Sequence, residues 1–266
     1  MRILKFDVCV TSLGKGVLNP FTGPQVQALF LNIIARVDPS LAKRLHEDKG
    51  IRPYAVRPLK PKSGKKGVVQ GKWLIEKGHE YVFSLSALTE EVAEVLAKGL
   101  TEAMGEEVTI GRVEFAVRSI SVEATSVEEL IKSAKVPHRI LLVFRTPTHF
   151  KLRGTSSYLP FPLPWIMYAN LAGIWNSLYP YKVDLEEFAK WLYGNVLPRA
   201  FEGKTREVWV KEAKQVGYRG RMEFVVRDSE NRYARWVYVL TRFAEFANTG
   251  AHRTMGMGVV EITEII

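Results

Sequence analysis

Apolar and polar residues alternate with a period of two at the start of the chain. The apolar positions are Leu4, Phe6, Val8 and Val10. This period predicts a half-buried strand. After a turn-rich stretch, Pro24 is well placed at the first position of a helix, and apolar residues recur at helical spacing as far as Val37. The chain is therefore predicted to begin with a strand and an amphipathic helix.

The rest of the first half continues this pattern. Asp38 and Pro39 predict the N-cap and first residue of a second helix, which Gly50 ends. Residues 73–75 and 81–85 are interpreted as a hairpin, Thr89 as the cap of a further helix, and residues 108–122 as a returning strand. The order strand, helix, hairpin, helix, strand is the ferredoxin-like pattern, an antiparallel sheet with helices on one face.

The second half supplies a similar series of elements. The predictions are a strand at 139–144, helices at 165–176 and 185–197, two strands within 207–226 around residues 217–221, a segment at 233–246 that is helical or extended, and a final strand at 259–266. The chain as a whole is predicted to be an α+β protein.

Composition and charge narrow the class of protein. An apolar fraction of 47% and a charged fraction of 25% are those of a folded protein, and 266 residues allow one large domain or two ordinary ones. The net charge is +10, and both halves of the chain are basic. A polyanionic partner is expected, with nucleic acid first and an anionic membrane second.

Cysteine and histidine usage restricts the possible chemistry. Cys9 is the one cysteine, which excludes an internal disulfide and a thiolate metal site and favours a reducing, cytoplasmic location. The start of the chain has charges where a signal peptide would be apolar, and no run is long enough to span a membrane. No histidine pair has the spacing of a zinc hydrolase. No metal and no cofactor are expected.

A glycine-rich stretch, residues 246–259, precedes the final strand. It contains Gly250, His252, Arg253, Gly256 and Gly258. Successive free N–H groups in such a loop can bind an anion, so the stretch is interpreted as a phosphate cradle. The alternative is a tight connection with glycines at strained turn positions, and the spacing alone does not decide between them.

His46 is a candidate proton donor. It lies in the last predicted turn of the second helix, where the helix dipole together with Glu47 and Asp48 favours the imidazolium. The alternative is an exposed histidine without a role.

Basic residues outside the glycine-rich stretch form two further candidate groups. No acidic residue interrupts the chain from Arg52 to Lys72, a segment that includes Lys60, Lys62, Lys65 and Lys66. Such a segment is either a solvated loop or a phosphate-binding one. Arg219 and Arg221 flank a glycine and are interpreted as RNA contacts, because guanidinium groups bind phosphate and stack on bases.

Taken together, these features resemble the CRISPR-associated repeat-RNA endoribonucleases of the repeat-associated mysterious protein type. The resemblance is carried by the glycine-rich stretch at 248–258, by residues 146–148, by the helix ending at Asn176, by residues 217–220, and by residues 39–50 around His46. It spans the chain.

The resemblance implies two tandem ferredoxin-like domains, here at 1–125 and 126–266, with RNA bound along the cleft and basic face between them. It also implies metal-independent cleavage of CRISPR repeat RNA by attack of the ribose 2′-hydroxyl, which leaves a 2′,3′-cyclic phosphate and a 5′-hydroxyl. His46 then serves as acid or base. Effector-complex subunits are further possible partners, and both monomers and homodimers occur in the family.

Two departures from the family pattern matter for catalysis. A tyrosine that some members use falls by spacing on Leu31, and their catalytic lysine falls on Arg52. Arg52 can stabilise a phosphorane, but Leu31 cannot transfer a proton, so Tyr54 is considered as a substitute and His252 as a backup for His46. A slow or non-catalytic RNA-binding subunit is therefore an alternative function.

Overall fold

The structure is a computed structural model that describes residues 1–48, 50–152 and 154–266. These residues form two compact units. The first comprises Met1–Ala124 with Thr254–Gly256, and the second comprises Thr125–Arg253 with Met257–Ile266. No helix in the described ranges combines the length and the apolar character that a membrane span requires.

The first unit is built on a five-stranded sheet. Its elements are β1 (Arg2–Ser12), β2 (Gly16–Leu18), α1 (Gly23–Val37), α2 (Pro39–Glu47), β3 (Tyr54–Pro61), β4 (Val68–Val69), β5 (Lys72–Ile75), β6 (Glu80–Ala87), α3 (Glu90–Glu102), β7 (Glu107–Ile110) and β8 (Val113–Ser126). The strand order is β3-β6-β1-β8-β7, and β1 pairs antiparallel with β6. Helix α1 buries an apolar stripe that includes Phe30 and Ile34 in the core of this unit.

Helix α2 begins as its sequence predicts. The Asp38 carboxylate accepts a hydrogen bond from the Leu41 amide at 2.9 Å, and Pro39 is the first helical residue. This hydrogen bond lowers the pKa of Asp38 below its usual value. At the other end, the Asp48 amide donates to the Arg44 carbonyl and closes the last turn. His46 is therefore held in the final turn of a capped helix.

The predicted hairpin of residues 73–75 with 81–85 is wrong. β5 pairs with β2 and β4 in a separate three-stranded sheet, whereas β6 pairs with β1 and β3. The two strands are neighbours in sequence but lie in different sheets. The predicted strand at 108–122 is also divided, because Gly111 adopts a φ of 65° and turns the chain between β7 and β8.

The second unit is built on a four-stranded sheet. Its elements are α4 (Val127–Lys132), β9 (Arg139–Thr148), β10 (Phe150–Lys151), β11 (Tyr158–Leu159), α5 (Pro164–Leu178), α6 (Leu185–Asn195), β12 (Val196–Val210), β13 (Ala213–Val226), α7 (Arg232–Ala247) and β14 (Val260–Ile265). The strand order is β12-β13-β9-β14, and all neighbours are antiparallel. Trp175 is fully buried and packs edge-on against Trp236 and Phe243.

Two predictions for this unit are changed. Residues 217–221 do not connect two strands, because they lie within β13, and the turn of the β12–β13 hairpin falls at Lys211 and Glu212. The segment at 233–246, left open between helix and strand, is the helix α7. The predicted α+β class with antiparallel sheets is confirmed.

Candidate functional site

His46 is exposed to solvent at the C-terminal end of α2. Its neighbours Leu41 and Leu45 are buried, so the apolar side of the helix packs onto the first unit while the imidazole remains outside. The position gives a ligand access to the ring. A proton donor or acceptor needs this access to its substrate.

Arg52 lies against the same helix end. Its guanidinium donates to the His46 carbonyl oxygen at 3.0 Å and to the Asp48 carbonyl oxygen at 3.2 Å. Helix termini leave such carbonyls without intrahelical partners, and a cation beside them is favoured by the helix dipole. The structure thus brings an imidazole-bearing residue and a guanidinium together at one corner of the first unit.

Tyr54 does not lie beside His46 and Arg52. The structure contradicts the catalytic role that the sequence suggested for it. The side chain is fully buried, stacks on Phe30 at 4.2 Å, and its hydroxyl lies 2.9 Å from the Gln27 amide nitrogen. A phenol inside the core cannot reach a bound phosphate. Leu31 packs partly buried against the same core, so neither residue supplies a proton-transfer group.

The lysines predicted to bind phosphate are on the surface of the first unit. Lys60, Lys62 and Lys65 are exposed. Lys62 forms an ion pair with Glu80 at 3.1 Å, and Lys66 donates to the Pro20 carbonyl at 2.8 Å while its ammonium lies 4.1 Å above the Trp73 ring. Lys60 and Lys65 are therefore the members of this group best placed to bind phosphate.

Arg219 and Arg221 are exposed on the β12–β13 hairpin. The strand register places Lys204 directly opposite Arg219, and Glu202 opposite Arg221. Like charges at directly opposed positions destabilise a hairpin. An anion bound between Lys204 and Arg219 would relieve this repulsion, so the pair is suited to a phosphate group.

The glycine-rich stretch is not an open anion cradle. In the part of the stretch that belongs to the second unit, most backbone N–H groups already donate hydrogen bonds to protein oxygens. The donors are Thr249 N to Gly258 O (2.9 Å), Gly250 N to Asn170 Oδ1 (2.9 Å), Ala251 N to His149 O (2.9 Å), Met257 N to His252 O (3.3 Å) and Gly258 N to Pro147 O (3.1 Å). Engaged amides cannot bind a phosphate without breaking these hydrogen bonds.

Burial agrees with this correction. Gly250, Gly256, Gly258 and Arg253 are all buried, so the predicted RNA contacts of these four residues do not correspond to accessible groups. The glycines are needed for close packing instead. A Cβ atom on Gly258 would lie 1.7 Å from the Thr249 carbonyl oxygen, and the backbone φ of Gly258 is 69°. The stretch is the tight connection that the sequence left as the alternative.

His252 belongs to a cluster of rings that the sequence did not reveal. His149 stacks on Tyr158 with ring centroids 4.4 Å apart, and the His252 ring lies 5.3 Å from that of His149. Burial, reinforced by the neighbouring His252, lowers the pKa of His149 to about 4, and burial followed by the Lys211 charge lowers the pKa of His252. The lowered pKa of each ring disfavours its protonated form, which counts against His252 as a backup proton donor.

Two features of the second unit could not be found from the sequence. Lys204 lies opposite Arg219 only because the hairpin turn falls at Lys211 and Glu212, whereas the sequence suggested a turn near residues 217–221. His149 and His252 are more than a hundred residues apart and meet through the fold of the second unit. In the part of the chain that the structure describes, no three His, Cys, Asp or Glu side chains gather as a metal-binding group.

Sequence comparisons match both halves of the chain to one family. Residues 24–121 match the profile described as CRISPR-associated protein Cas6, N-terminal, and residues 142–260 match that of CRISPR-associated endoribonuclease Cas6. The CRISPR-associated endoribonuclease Cas6 of Streptococcus thermophilus is 23% identical over 87% of this chain and 88% of its own. The CRISPR-associated endoribonuclease Cas6 of Mycobacterium tuberculosis is 25% identical, and the match covers 68% of this chain and 58% of the length of that protein.

Solved structures share the fold. A Cas6 product complex superposes with a TM-score of 0.76 at 23% identity, covering 99% of this chain and 100% of that one. A second Cas6 product complex gives a TM-score of 0.79 at 21% identity, covering 98% and 99%. These identities are low, but the superpositions extend over essentially the whole of each chain.

Proposed function

Because the chain belongs to the CRISPR-associated endoribonuclease Cas6 family, we propose that it cuts CRISPR repeat RNA within precursor transcripts to give guide RNAs. The geometric observation that carries the proposal is the meeting of His46 and Arg52 at the exposed end of α2. The matched relatives are endoribonucleases by name, and two of the similar solved structures are product complexes.

The proposed chemistry is transfer of a phosphoryl group from the 5′-oxygen to the 2′-oxygen of the same RNA strand. The ribose 2′-oxygen attacks the adjacent phosphorus, the bond to the 5′-oxygen breaks, and the products carry a 2′,3′-cyclic phosphate and a 5′-hydroxyl. His46 donates the proton to the leaving 5′-oxygen, and the Arg52 guanidinium stabilises the negative charge of the phosphorane. Since Tyr54 and Leu31 supply no base, the geometry of the bound RNA aligns the 2′-hydroxyl for attack, and its proton passes to water.

Both units are further proposed to be ferredoxin-like domains, with the boundary near residue 125. In each, the second, third, first and fourth principal strands lie side by side: β3-β6-β1-β8 in the first unit and β12-β13-β9-β14 in the second. This order, with helices between the first and second and between the third and fourth strands, supports the assignment. Effector-complex subunits are proposed as further partners, and a monomer or a homodimer as the oligomeric state.

The RNA backbone is proposed to bind along the basic face of the β12–β13 hairpin. Substituting both Arg219 and Arg221 by alanine is expected to weaken repeat-RNA binding roughly tenfold or more at about 0.1 M salt, because two phosphate contacts are lost. The slope of log affinity against log salt should become shallower by about 2. Filter binding at several salt concentrations measures both quantities.

The matched control for this prediction is Arg145→Ala. Arg145 is a similarly exposed arginine of the same sheet, but its guanidinium pairs with Glu261 at 2.6 Å. Its removal should leave the salt slope unchanged. An unchanged slope in the double hairpin variant would remove the hairpin from the RNA-binding surface.

The proposed activity is tested by incubating the protein with a CRISPR repeat RNA from the genome that encodes it, in EDTA, beside a scrambled RNA of equal length. One discrete cut in the repeat alone is expected. Binding of the repeat without any cut would instead favour the second candidate function, a subunit that holds guide RNA without processing it. That alternative draws its support from the apolar Leu31 and the buried Tyr54.

A further inference from the structure

We propose that His149 and His252 form a binding site for a transition-metal ion of the zinc type, with the two Nε2 atoms as protein ligands. The site is separate from the proposed catalytic group and does not depend on RNA. It would join the glycine-rich stretch to the segment that follows β9 within the second unit.

The hydrogen bonding of His149 is that of a metal ligand. Its ring is 1% exposed, and Nδ1 lies 3.0 Å from the Val216 carbonyl oxygen. A carbonyl oxygen only accepts hydrogen bonds, so Nδ1 carries the proton and Nε2 of the neutral ring presents a bare lone pair. Metal-ligating histidines characteristically donate their other ring N–H to a carbonyl or carboxylate in this way.

Two buried nitrogen atoms in this cluster have no partner. Nε2 of His149 and Nε2 of His252 are both inaccessible to solvent and make no hydrogen bond to the described residues. Buried polar atoms in folded proteins are nearly always satisfied, so these two nitrogens are expected to bind a partner that the chain itself does not supply. A ligand for these atoms must be small, because neither atom is exposed.

The spacing of the two rings fits a shared metal. Zinc binds imidazole nitrogen at about 2.0–2.1 Å, so two rings on one tetrahedral ion have centroids about 5 Å apart. The observed centroid distance is 5.3 Å, with the ring planes inclined by 51°. The backbone fixes this arrangement, since Ala251 N donates to His149 O at 2.9 Å and His252 holds a φ of 56°. Such strained positions persist where the surroundings impose them.

The donor set indicates the class of ion. Imidazole suits zinc, copper and nickel, whereas magnesium and calcium prefer oxygen ligands. No third His, Cys, Asp or Glu joins the pair among the described residues, so the two imidazoles are the protein ligands. The Lys211 ammonium acts on His252 and opposes a cation. Affinity should therefore be modest compared with that of a structural zinc site.

The test titrates the purified protein with Co²⁺ and Zn²⁺ in the absence of RNA. One equivalent of Co²⁺ is expected to give the visible absorption of a tetrahedral ion, and Zn²⁺ should displace it. Zn²⁺ should also raise the melting temperature, because it binds the folded state alone. His149→Phe keeps a flat apolar ring against Tyr158, and His252→Asn keeps a residue that tolerates positive φ; each should weaken binding at least about tenfold.

His138→Asn is the control, since it removes an exposed histidine of the same unit and should change neither readout. Binding that is unaffected in both cluster variants, or no saturable binding up to about 1 mM, would overturn the proposal; the latter result would assign the two nitrogens to a bridging water. In the wild-type protein, Ni²⁺ should selectively broaden the NMR signals of the His149 and His252 rings. This measurement decides the matter even if a variant fails to fold.

Discussion

Replacing His46 by alanine is expected to lower the single-turnover rate of repeat-RNA cleavage by about 10²- to 10⁴-fold, the usual contribution of a positioned acid or base. The leaving 5′-oxygen would have to take its proton from water. RNA affinity should change much less than the rate, because His46 is one group among the several basic residues proposed to bind the RNA backbone. Rates measured with excess enzyme, together with filter binding on the same RNA, separate the two effects.

His79→Ala is the matched control for His46→Ala. His79 is also an exposed histidine of the first unit, and it lies outside the group formed at the end of α2. Its removal should leave the cleavage rate unchanged. If His46→Ala cleaves as fast as wild type, the acid must be another group and the role of α2 in catalysis is lost.

The second large effect is expected at Gly258. Alanine there would place its Cβ 1.7 Å from the Thr249 carbonyl oxygen, at a φ of 69° that side chains rarely adopt. The backbone must shift, and the hydrogen bonds from Gly258 N to Pro147 O and from Thr249 N to Gly258 O are strained with it. We expect a loss of roughly 3 kcal/mol or more in the free energy of unfolding.

Urea unfolding followed by tryptophan fluorescence measures this loss. Gly154→Ala is the matched control, because Gly154 also has a positive φ of 73°, but among the described residues beyond its chain neighbours no atom lies within 4 Å of the added Cβ. It should cost about 1 kcal/mol, the conformational part alone. Equal stability losses in the two variants would mean that close packing is not the reason for Gly258.

Local signals predicted the helices well. Asp38 followed by Pro39 identified the start of α2 because an N-cap is decided by neighbouring residues. Strand pairing was predicted less well, since a partner strand can lie far away in sequence. β5 follows β4 and precedes β6, yet its longest pairing is with β2, more than fifty residues earlier. Nothing in residues 73–85 encodes that choice.

The residues of the candidate site also differ in how far their own sequence segment predicts them. His46 at a helix end could be located from its own segment, and the exposed imidazole is where the sequence predicted it. The glycine-rich stretch could not be interpreted from its own residues, because the partners of its amides, such as Asn170 and Pro147, come from other elements. The same is true of His149, whose neighbour His252 is supplied by the fold.

The chemistry of the RNA ends tests the central claim most directly. The protein is incubated in EDTA with repeat RNA, and the fragments are analysed by mass spectrometry before and after acid treatment, which opens cyclic phosphates. The account predicts one cut that leaves a 2′,3′-cyclic phosphate on the upstream fragment and a 5′-hydroxyl on the downstream fragment. A 3′-hydroxyl with a 5′-phosphate, or intact RNA under conditions where it is bound, would contradict it.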